Sequence, residues 1–228
     1  SWTPQYSSLV GYWKMDGSWN DSVGTNHGTA NFGATFTTSA KVGSHTGDFD
    51  GVDDTVSLPN PFGGAVTKAT VSFWFYPEDN APVEQAFFLR LFGESNFPRL
   101  RLFDSDTIFL QYMIDSGVVG PTILSNFSTA YGYNQWHHLA MSFDVSVGVL
   151  TYLNGKLVHT HALTGTSYDG GTNPILLGST VGGETFDGRI DDFSVWNGSA
   201  LLASEIATIY HRQKQKYAGH YNSPIIDT

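Results

Sequence analysis

The 228-residue sequence predicts an all-β protein: an antiparallel two-sheet sandwich with one short helix near the C-terminus. Three observations predict this fold class. Apolar residues recur at every second position in several short segments, clusters rich in glycine and proline separate these segments, and no helical pattern alternates with them. Sandwiches of this length routinely fold around a single core, so we expect one domain.

Alternating apolar residues predict strands through the middle of the chain. In a strand, alternate side chains point to the same face, so such a pattern is typical of a sheet that is buried on one side. The alternating sets are Val71, Phe73 and Phe75; Leu100 and Leu102; Ile108, Leu110 and Tyr112; and Leu139, Met141 and Phe143. Between two further strand-like runs lies Asn154-Gly155. Both residues tolerate positive φ, so this dipeptide predicts a two-residue hairpin.

One segment near the C-terminus has helical periodicity. Within Leu201 to His211, the apolar residues Leu202, Ile206 and Ile209 fall on one face of a helix. Ser204 is the candidate N-terminal cap. We therefore expect one short helix that packs on the sandwich.

The two ends of the chain differ in character from the rest. Residues 1–211 are predicted to form the sandwich, and residues 212–228, which begin with a basic run, to form a strap on the same domain or on a neighbouring chain. Trp2, Pro4 and Tyr6 make the other terminus apolar. Apolar termini favour contact with each other or with another chain, so a homo-oligomer, for example a trimer joined through the termini, is a further expectation.

Charge and composition exclude several classes of function. There are 21 acidic and 11 basic residues, a net charge of −10, which opposes binding to nucleic acid or to an anionic membrane. No apolar run is long enough for a membrane helix, so no membrane insertion is expected. The absence of cysteine excludes disulfides and thiol catalysis. A cysteine-free chain rich in small polar residues is typical of a secreted or cell-surface protein, and we expect a bacterial one.

Eight segments in order resemble the laminin-G-like jelly-roll family, which is related to the concanavalin A-like lectins and glucanases. They span residues 11–16, 21–28, 47–56, 70–77, 134–140, 154–155, 186–193 and 201–206. The resemblance implies a jelly-roll sandwich. Because this fold includes lectins, adhesins, glycosidases and structural spacers, it implies architecture more strongly than activity.

Aspartates beside glycine, asparagine and serine favour a calcium site, because Ca²⁺ takes six to eight oxygen ligands. The candidates from loop composition are Asp16, Asp21, Asn26, Asp50, Asp53, Asp191 and Asp192. The resemblance implies one structural Ca²⁺ held by Asp191 or Asp192 together with Asp16 and Asp50. Strand parity predicts that Asp191 shares the face of Phe193 and Val195, where a carboxylate needs a cation or strong donors. The alternative is that these aspartates accept backbone N–H groups in turns.

The sequence offers little for catalysis. Retaining glycosidases need two carboxyl groups about 5 to 5.5 Å apart, which relatives of this fold supply from two glutamates on one strand. No two glutamates here have that spacing. Asp104 and Asp106 are the remaining pair, and their context predicts a turn. No Gly-x-Ser-x-Gly motif of a serine hydrolase is present.

Sugar recognition uses aromatic faces and planar polar groups, commonly on loops held by a rigid scaffold. Three loop-like segments combine both. The predicted ligand-binding residues are Tyr131, Tyr133 and Asn134; Tyr168, Asp169 and Asn173; and Trp19.

The sequence thus predicts a non-catalytic, lectin-like module that binds glycan through its loops, as part of a secreted or surface adhesin or a fibre tip. Two alternatives remain open at this point. One is a structural or oligomerisation module without a small ligand, and the other is a glycoside hydrolase that uses atypical carboxylates.

Overall fold

The fold is described from a computed structural model. It covers residues 3–78, 98–103, 107–114, 117–119, 122–125, 127–163, 165, 167–178 and 185–215. For the strands between 98 and 125, and for residues 128, 168, 169 and 215, the backbone alone is described.

The described residues form an antiparallel β-sandwich, as predicted. The strands are β1 Leu9–Trp13, β2 Thr29–Asn31, β3 Thr35–Thr37, β4 Thr46–Asp50, β5 Thr55–Leu58, β6 Ala65–Val66, β7 Lys68–Pro77, β8 Pro98–Phe103, β9 Thr107–Ile114, β10 Gly117–Val119, β11 Thr122–Ser125, β12 His137–Asp144, β13 Gly148–Leu153, β14 Lys156–His161, β15 Tyr168–Asp169, β16 Ile175–Leu177 and β17 Asp187–Asn197. The largest sheet has the order β14-β13-β12-β7-β17-β4-β3, with β1 also paired to β17. Smaller groups of strands are β16-β5-β2, β15-β6, and β10-β9-β11 with β8.

The inner face of the large sheet carries the main core. Val71, Phe73 and Phe75 from β7 alternate inward, and Leu139 and the other alternating residues of β12 join them. They pack against β5 and β16, whose Val56, Leu58, Ile175 and Leu177 belong to the same apolar cluster. The period-two pattern of the sequence therefore identified the inner face of both central strands. The expectation that they are buried on one side only is wrong, because nearly every residue of β7 and β12 is buried.

The outer face of the large sheet is covered over part of its area by a helix, α2, Ala203–Gln215. Its Ile206 and Ile209 pack with Trp196, Ala140 and Tyr152, all of them buried. Gly155, in the Asn154-Gly155 turn, lies so close to this helix that a Cβ there would sit 2.9 Å from the Tyr210 ring. We call this area the helix-covered half.

The hairpin prediction is confirmed. Asn154 and Gly155 have φ of 51° and 76° and join β13 to β14. The predicted helix exists, but it extends beyond His211 to Gln215. Its N-terminus is not capped by Ser204: Glu205 accepts a hydrogen bond from the Leu202 N–H at 2.8 Å, the reciprocal half of a capping box.

A second, short helical turn, α1, Phe127–Ala130, lies outside the predicted pattern. The N-terminal segment packs on the helix-covered half, because the Pro4 carbonyl accepts a hydrogen bond from the Trp196 indole at 2.9 Å. Residues 216–228 lie outside the described residues, so the C-terminal strap stays a prediction. Among the described residues, no helix is both long and apolar enough to cross a membrane.

The predicted orientation of Asp191 is wrong, because a β-bulge interrupts β17. The pairing of β17 with β7 shifts between Asp191 and Ser194, and Asp192 has a φ of 55°. Ile190 and Phe193 both face the core, so the extra residue places Asp191 and Asp192 together on the outer side. Asp191 pairs directly with Trp74, which packs against Tyr210 of α2.

Candidate functional site

Beyond the end of α2, four side chains form a line across the outer face of the large sheet. Asp48 of β4 pairs with Arg189 of β17, and Arg189 pairs with Tyr76 of β7. Trp136 precedes β12 by one residue, and its ring lies 5.5 Å from that of Tyr76 in an edge-on arrangement. All four are half-buried. We call Asp48, Arg189, Tyr76 and Trp136 the outer row.

The outer row combines an aromatic surface with a fixed planar cation. The Arg189 guanidinium lies 4.5 Å from the centre of the Tyr76 ring, a cation–π contact that holds the side chain flat on the sheet. Its Nη2 donates to Glu78, and its Nε lies 3.6 Å from Asp48 Oδ1. The Arg189, Asp48 and Glu78 side chains keep 21%, 40% and 25% of their area exposed. The site therefore has ordered polar groups that solvent still reaches.

Acidic groups continue from the row to the end of the sheet. Asp187 of β17 pairs with Asp50 of β4, one alternation beyond Arg189 and Asp48. Burial and then the charges of Glu78, Asp50 and Asp48 raise the pKa of Asp187. Burial also raises the pKa of Asp48, and Arg189 opposes that rise. Burial is the largest cause of both shifts, and the neighbouring carboxylates add to them.

Next to this end lies an acidic turn formed by Asp50, Asp53 and Asp54, which we call the aspartate turn. One carboxylate oxygen from each lies within 4.8 Å of the others. Asp54 is only 5% exposed; it accepts the Asp50 N–H at 3.0 Å, while its other oxygen is buried without a hydrogen-bond partner. Gly51 inside the turn has a φ of 73° and lies against Asp187, where a Cβ would clash.

The aspartates predicted to share one calcium lie in two places. Asp187, opposite Asp50, is four residues from Asp191, which is about 13 Å along a strand. Asp16 is exposed and accepts the backbone N–H groups of Ser44 and His45 at 2.6 and 3.1 Å. Asp191 and Asp16 are thus near each other and remote from the aspartate turn.

The two aspartates of the bulge are bound by protein donors. Asp191 accepts the N–H groups of Lys41 and Val42, both at 2.8 Å. Burial, followed by the charge of Asp192, raises the pKa of Asp191 well above its usual range. Asp192 accepts hydrogen bonds from the Tyr12 hydroxyl and the Gln213 amide. This network joins the sheet to α2.

The distances between the carboxylate oxygens, and the hydrogen bonds that these oxygens already accept, indicate which aspartates could hold Ca²⁺. Oxygens that share one Ca²⁺ lie within about 5 Å of each other, since each is 2.3 to 2.6 Å from the ion. The aspartate turn meets that condition and has a buried carboxylate oxygen without a partner. Asp191 also has a buried oxygen without a hydrogen-bond partner, Oδ1, but the described residues place no group of three metal-ligating side chains around it within that distance. Asp192 is bound by the tyrosine and the glutamine. Asp21 is likewise occupied, by the N–H groups of Tyr12 and Val23 at 3.0 Å.

The structure places the predicted ligand-binding tyrosines of the 131–134 loop against the core. The Phe127 ring stacks on Tyr131 at 5.7 Å and meets Tyr133 edge-on at 5.9 Å. Asn134 is exposed, with a φ of 56°, and its N–H donates to the Pro77 carbonyl at 2.8 Å. This loop therefore lies at the Pro77 end of β7, the same end as the outer row.

The other predicted ligand-binding residues lie elsewhere. Tyr168 and Asp169 form β15, paired with β6 before the Lys68 end of β7, about 30 Å from the Pro77 end. Asn173, half-buried, follows them in a bend. Trp19 packs on Phe36 at 4.3 Å, beside the inner core. The three predicted segments do not converge, and the assignment of ligand binding to them stays a prediction.

Asp104 and Asp106 lie outside the described residues. None of the outer row was predicted from the sequence, although one signal for it exists: Asp48, Tyr76 and Arg189 each lie between two inward-facing positions of a strand.

Comparisons with known proteins agree with this fold. The family model described as the concanavalin A-like lectin/glucanases superfamily, Laminin_G_3, matches residues 50–207. No curated protein sequence gives a significant match. Domain 4 of AbnA, a GH43 extracellular arabinanase from Geobacillus stearothermophilus solved in complex with arabinotriose, has a TM-score of 0.71 at 21% identity, covering 89% of this chain and 98% of that one.

Two toxin structures are also similar. The ligand binding domain of botulinum neurotoxin serotype D, solved in complex with N-acetylneuraminic acid, has a TM-score of 0.69 at 14% identity, covering 90% of this chain and 51% of that one. The binding domain of Paraclostridial Mosquitocidal Protein 1 has a TM-score of 0.70 at 16% identity, covering 90% and 52%. The chain thus spans about half the length of these toxin domains. At such identities, the similarity shows a shared fold.

Proposed function

The chain belongs to the concanavalin A-like lectin/glucanase superfamily, and from this premise we propose that it is a non-catalytic carbohydrate-recognition module whose ligand binds on the outer row. Two structurally similar proteins were solved with a sugar bound, arabinotriose or N-acetylneuraminic acid, which supports this class of ligand. The observation that carries the proposal is the row itself. It places two half-buried aromatic rings beside an ordered guanidinium and carboxylates on a rigid sheet.

The chemistry of the row suits a sugar. The apolar face of a pyranose or furanose ring stacks on an aromatic ring, while hydroxyl groups take planar donors and acceptors such as guanidinium and carboxylate. Arg189 is fixed by Tyr76, Glu78 and Asp48 before any ligand arrives. A site that is ordered in advance loses less conformational entropy on binding, which favours affinity.

The test is a glycan array probed with the wild type and with Trp136→Ala. We expect specific binding by the wild type and at least about a tenfold loss in the variant, because a central aromatic contact carries much of such an interface. Tyr6→Ala is the matched control, since Tyr6 is 63% exposed and belongs to the N-terminal segment. Equal losses in both variants, or an array without any bound glycan, would contradict the proposal.

The non-catalytic part of the proposal is tested separately. It is supported by the lack of a glutamate pair with the spacing of the glycosidases of this fold. We expect no new reducing ends when the protein is incubated with the glycans it binds. Hydrolysis that disappears with Asp48→Asn or Glu78→Gln would instead indicate a glycosidase with atypical carboxylates.

We also propose that the aspartate turn holds one structural Ca²⁺. The proposal is supported by the three clustered carboxylates and the buried oxygen of Asp54 without a partner. A cation at about 100 times its Kd stabilises the folded state by about 2.7 kcal/mol. We therefore expect EDTA to lower the Tm and calcium to restore it. An unchanged Tm in EDTA, or the same response in Asp53→Asn, would contradict this assignment, and Asp16→Asn is the control.

A secreted or surface location, as in an adhesin or a fibre tip, remains part of the proposal. It is supported by the cysteine-free composition rich in small polar residues. Assembly through the termini is tested by sedimentation of the full chain and of a form that ends at residue 215. A trimer mass that is lost on this truncation is the result expected for assembly through the C-terminal strap.

A further inference from the structure

The single basic side chain of the outer row forms ion pairs with two carboxylates, and one of them is also hydrogen-bonded to it. Arg189 Nη2 donates to Glu78, and Arg189 Nε lies 3.6 Å from Asp48. The guanidinium also lies 4.5 Å from the centre of the Tyr76 ring, and this contact further restricts its orientation. An anionic ligand would have to compete with both carboxylates for this guanidinium.

Further negative charge lies on the same end of the sheet. Asp187 and Asp50 are paired across β17 and β4, directly beyond Arg189 and Asp48. The aspartate turn adds Asp53 and Asp54 to Asp50. Among the residues that the structure describes, six carboxyl groups lie at this end of the sheet with one guanidinium: Asp48, Asp50, Asp53, Asp54, Glu78 and Asp187. A single divalent cation in the turn would not reverse this balance.

This excess of negative charge affects which class of sugar can bind at the outer row. We infer that the outer row selects neutral oligosaccharides and rejects glycans that carry carboxylate or sulfate groups. The inference rests on the proposed function and names the ligand class of that same site. Like charges across an interface lower affinity and suppress wrong partners, and the effect is strongest at low ionic strength. Neutral hydroxyl groups, by contrast, accept hydrogen bonds from Arg189 and donate to Asp48 or Glu78 without charge repulsion.

The arrangement also assigns a role to Glu78. It is a specificity-determining residue, because its carboxylate is hydrogen-bonded to Nη2 of Arg189 and places a negative charge where an acidic sugar would approach the guanidinium. Its backbone N–H is held by the Asp187 carbonyl at 3.1 Å, so its position is set by the end of β17. Replacing the carboxylate by an amide of the same shape weakens its hold on Arg189 and removes one negative charge.

The experiment uses an array on which each neutral oligosaccharide is printed beside its sialylated, uronylated or sulfated form. The full chain is applied at low and at physiological salt, with calcium and with EDTA. We expect at least tenfold weaker binding to the acidic member of each pair at low salt, and a smaller difference at higher salt. Acidic forms that bind as well as, or better than, the neutral ones would overturn the inference.

The variant Glu78→Gln sharpens the test. We expect it to raise the affinity for acidic glycans relative to their neutral partners by about tenfold. Glu205→Gln is the matched control, because an amide at that position can still accept the Leu202 N–H hydrogen bond. An unchanged acidic-to-neutral ratio in Glu78→Gln would contradict the role of Glu78. An array on which no glycan binds would instead contradict the proposed function, and the inference about selectivity would be contradicted with it.

Discussion

The outer face of the large sheet has two halves, which differ in what covers their side chains and in what their polar groups bind. In the helix-covered half, Trp196, Ala140 and Tyr152 are sealed by Ile206 and Ile209 of α2. In the half beyond the helix, the outer row keeps charged and aromatic groups partly open to solvent. Strands β7 and β17 contribute side chains to both halves, whereas Tyr152 of the helix-covered half lies on β13 and Asp48 of the outer row lies on β4.

The hydrogen bonds of the polar side chains also differ between the two halves. In the helix-covered half, the Trp74 indole donates to Gln213 at 2.7 Å, and the Gln213 amide donates to Asp192. These bonds connect the sheet to the helix that covers it. In the outer row, Arg189 is held within the sheet, by Tyr76, Asp48 and Glu78. The first half thus contributes to stability, while the second has ordered groups available to a ligand. Substitutions in each half should separate these two roles.

The largest expected effect lies in the helix-covered half. Ile206 is fully buried between α2 and the sheet, so Ile206→Ala removes apolar contacts and leaves a cavity. We expect a loss of about 2 to 5 kcal/mol in the free energy of unfolding, measured by urea denaturation. Leu202→Ala is the control, since Leu202 is 65% exposed. A loss below 1 kcal/mol in Ile206→Ala would mean that α2 contributes little to the fold.

His138 should make the helix-covered half sensitive to acid. It is fully buried beside Trp74, and burial lowers its pKa to about 3. The unfolded chain therefore takes up a proton near pH 6.5 that the folded chain resists, so stability present above that pH is lost as the pH falls. Between pH 7 and pH 4 the expected loss from this group is about 3 kcal/mol.

The measurement is the free energy of unfolding of the wild type and His138→Gln across this pH range. The glutamine can keep a hydrogen bond to Ser72, which His138 contacts at 2.8 Å. We expect a flatter pH dependence in the variant, and parallel curves would contradict the account.

Asp191 should act with the opposite sign. Its pKa is raised by burial and by the charge of Asp192, so the folded state holds its proton more tightly than the unfolded chain does. Stability from this group is fully present below about pH 4, the unfolded pKa, and is lost as the pH rises toward the folded pKa. Asp191→Asn should therefore gain stability relative to the wild type as the pH rises, by about 1.4 kcal/mol for each unit that separates the two pKa values.

Unfolding curves of the wild type and Asp191→Asn at pH 4.5 and pH 7.5 test this expectation. A variant that becomes relatively less stable at pH 7.5 would show that Asp191 is ionised and well compensated in the folded protein.

The smallest expected effect on stability lies in the outer row. Trp136 is half-buried, and its described ring contact is with Tyr76. An edge-on aromatic pair contributes about 0.5 to 1.5 kcal/mol beyond the area it buries, and a half-buried ring adds roughly 1 kcal/mol, so Trp136→Ala should lower the free energy of unfolding by about 1 to 2 kcal/mol. If Trp136→Ala lowered the free energy of unfolding as much as Ile206→Ala does, the proposed difference in stability between the two halves would be contradicted.

The sequence predicted the inner face better than the outer one. Alternation identified Phe73, Phe75 and Leu139 as core, and Asn154-Gly155 identified a hairpin, because both signals are local. The Asp191 face was predicted wrongly, since a bulge shifts parity by one residue and a single strand does not reveal it. The outer row brings together residues from β4, β17, β7 and the start of β12, so it depends on pairing registers that no local pattern specifies.

The candidate calcium ligands show the same limit. Composition pointed to acidic loops, and Asp50 does belong to a cluster of carboxylates. Its partners are Asp53 and Asp54, whereas Asp191 lies about 13 Å away along β17, near Asp16. Which acidic loops meet is decided by sheet order, a long-range property.

The central claim, that ligand binds on the outer row and not on the helix-covered half, is tested most directly by NMR. The indole N–H signals of Trp136 and Trp196 report on the two halves within one sample. During titration with the best glycan from the array, we predict saturable shifts of the Trp136 indole and of the Tyr76 and Arg189 amides, with Trp196 unchanged. Shifts confined to Tyr168, Asp169 and Asn173, with none in the outer row, would contradict the account.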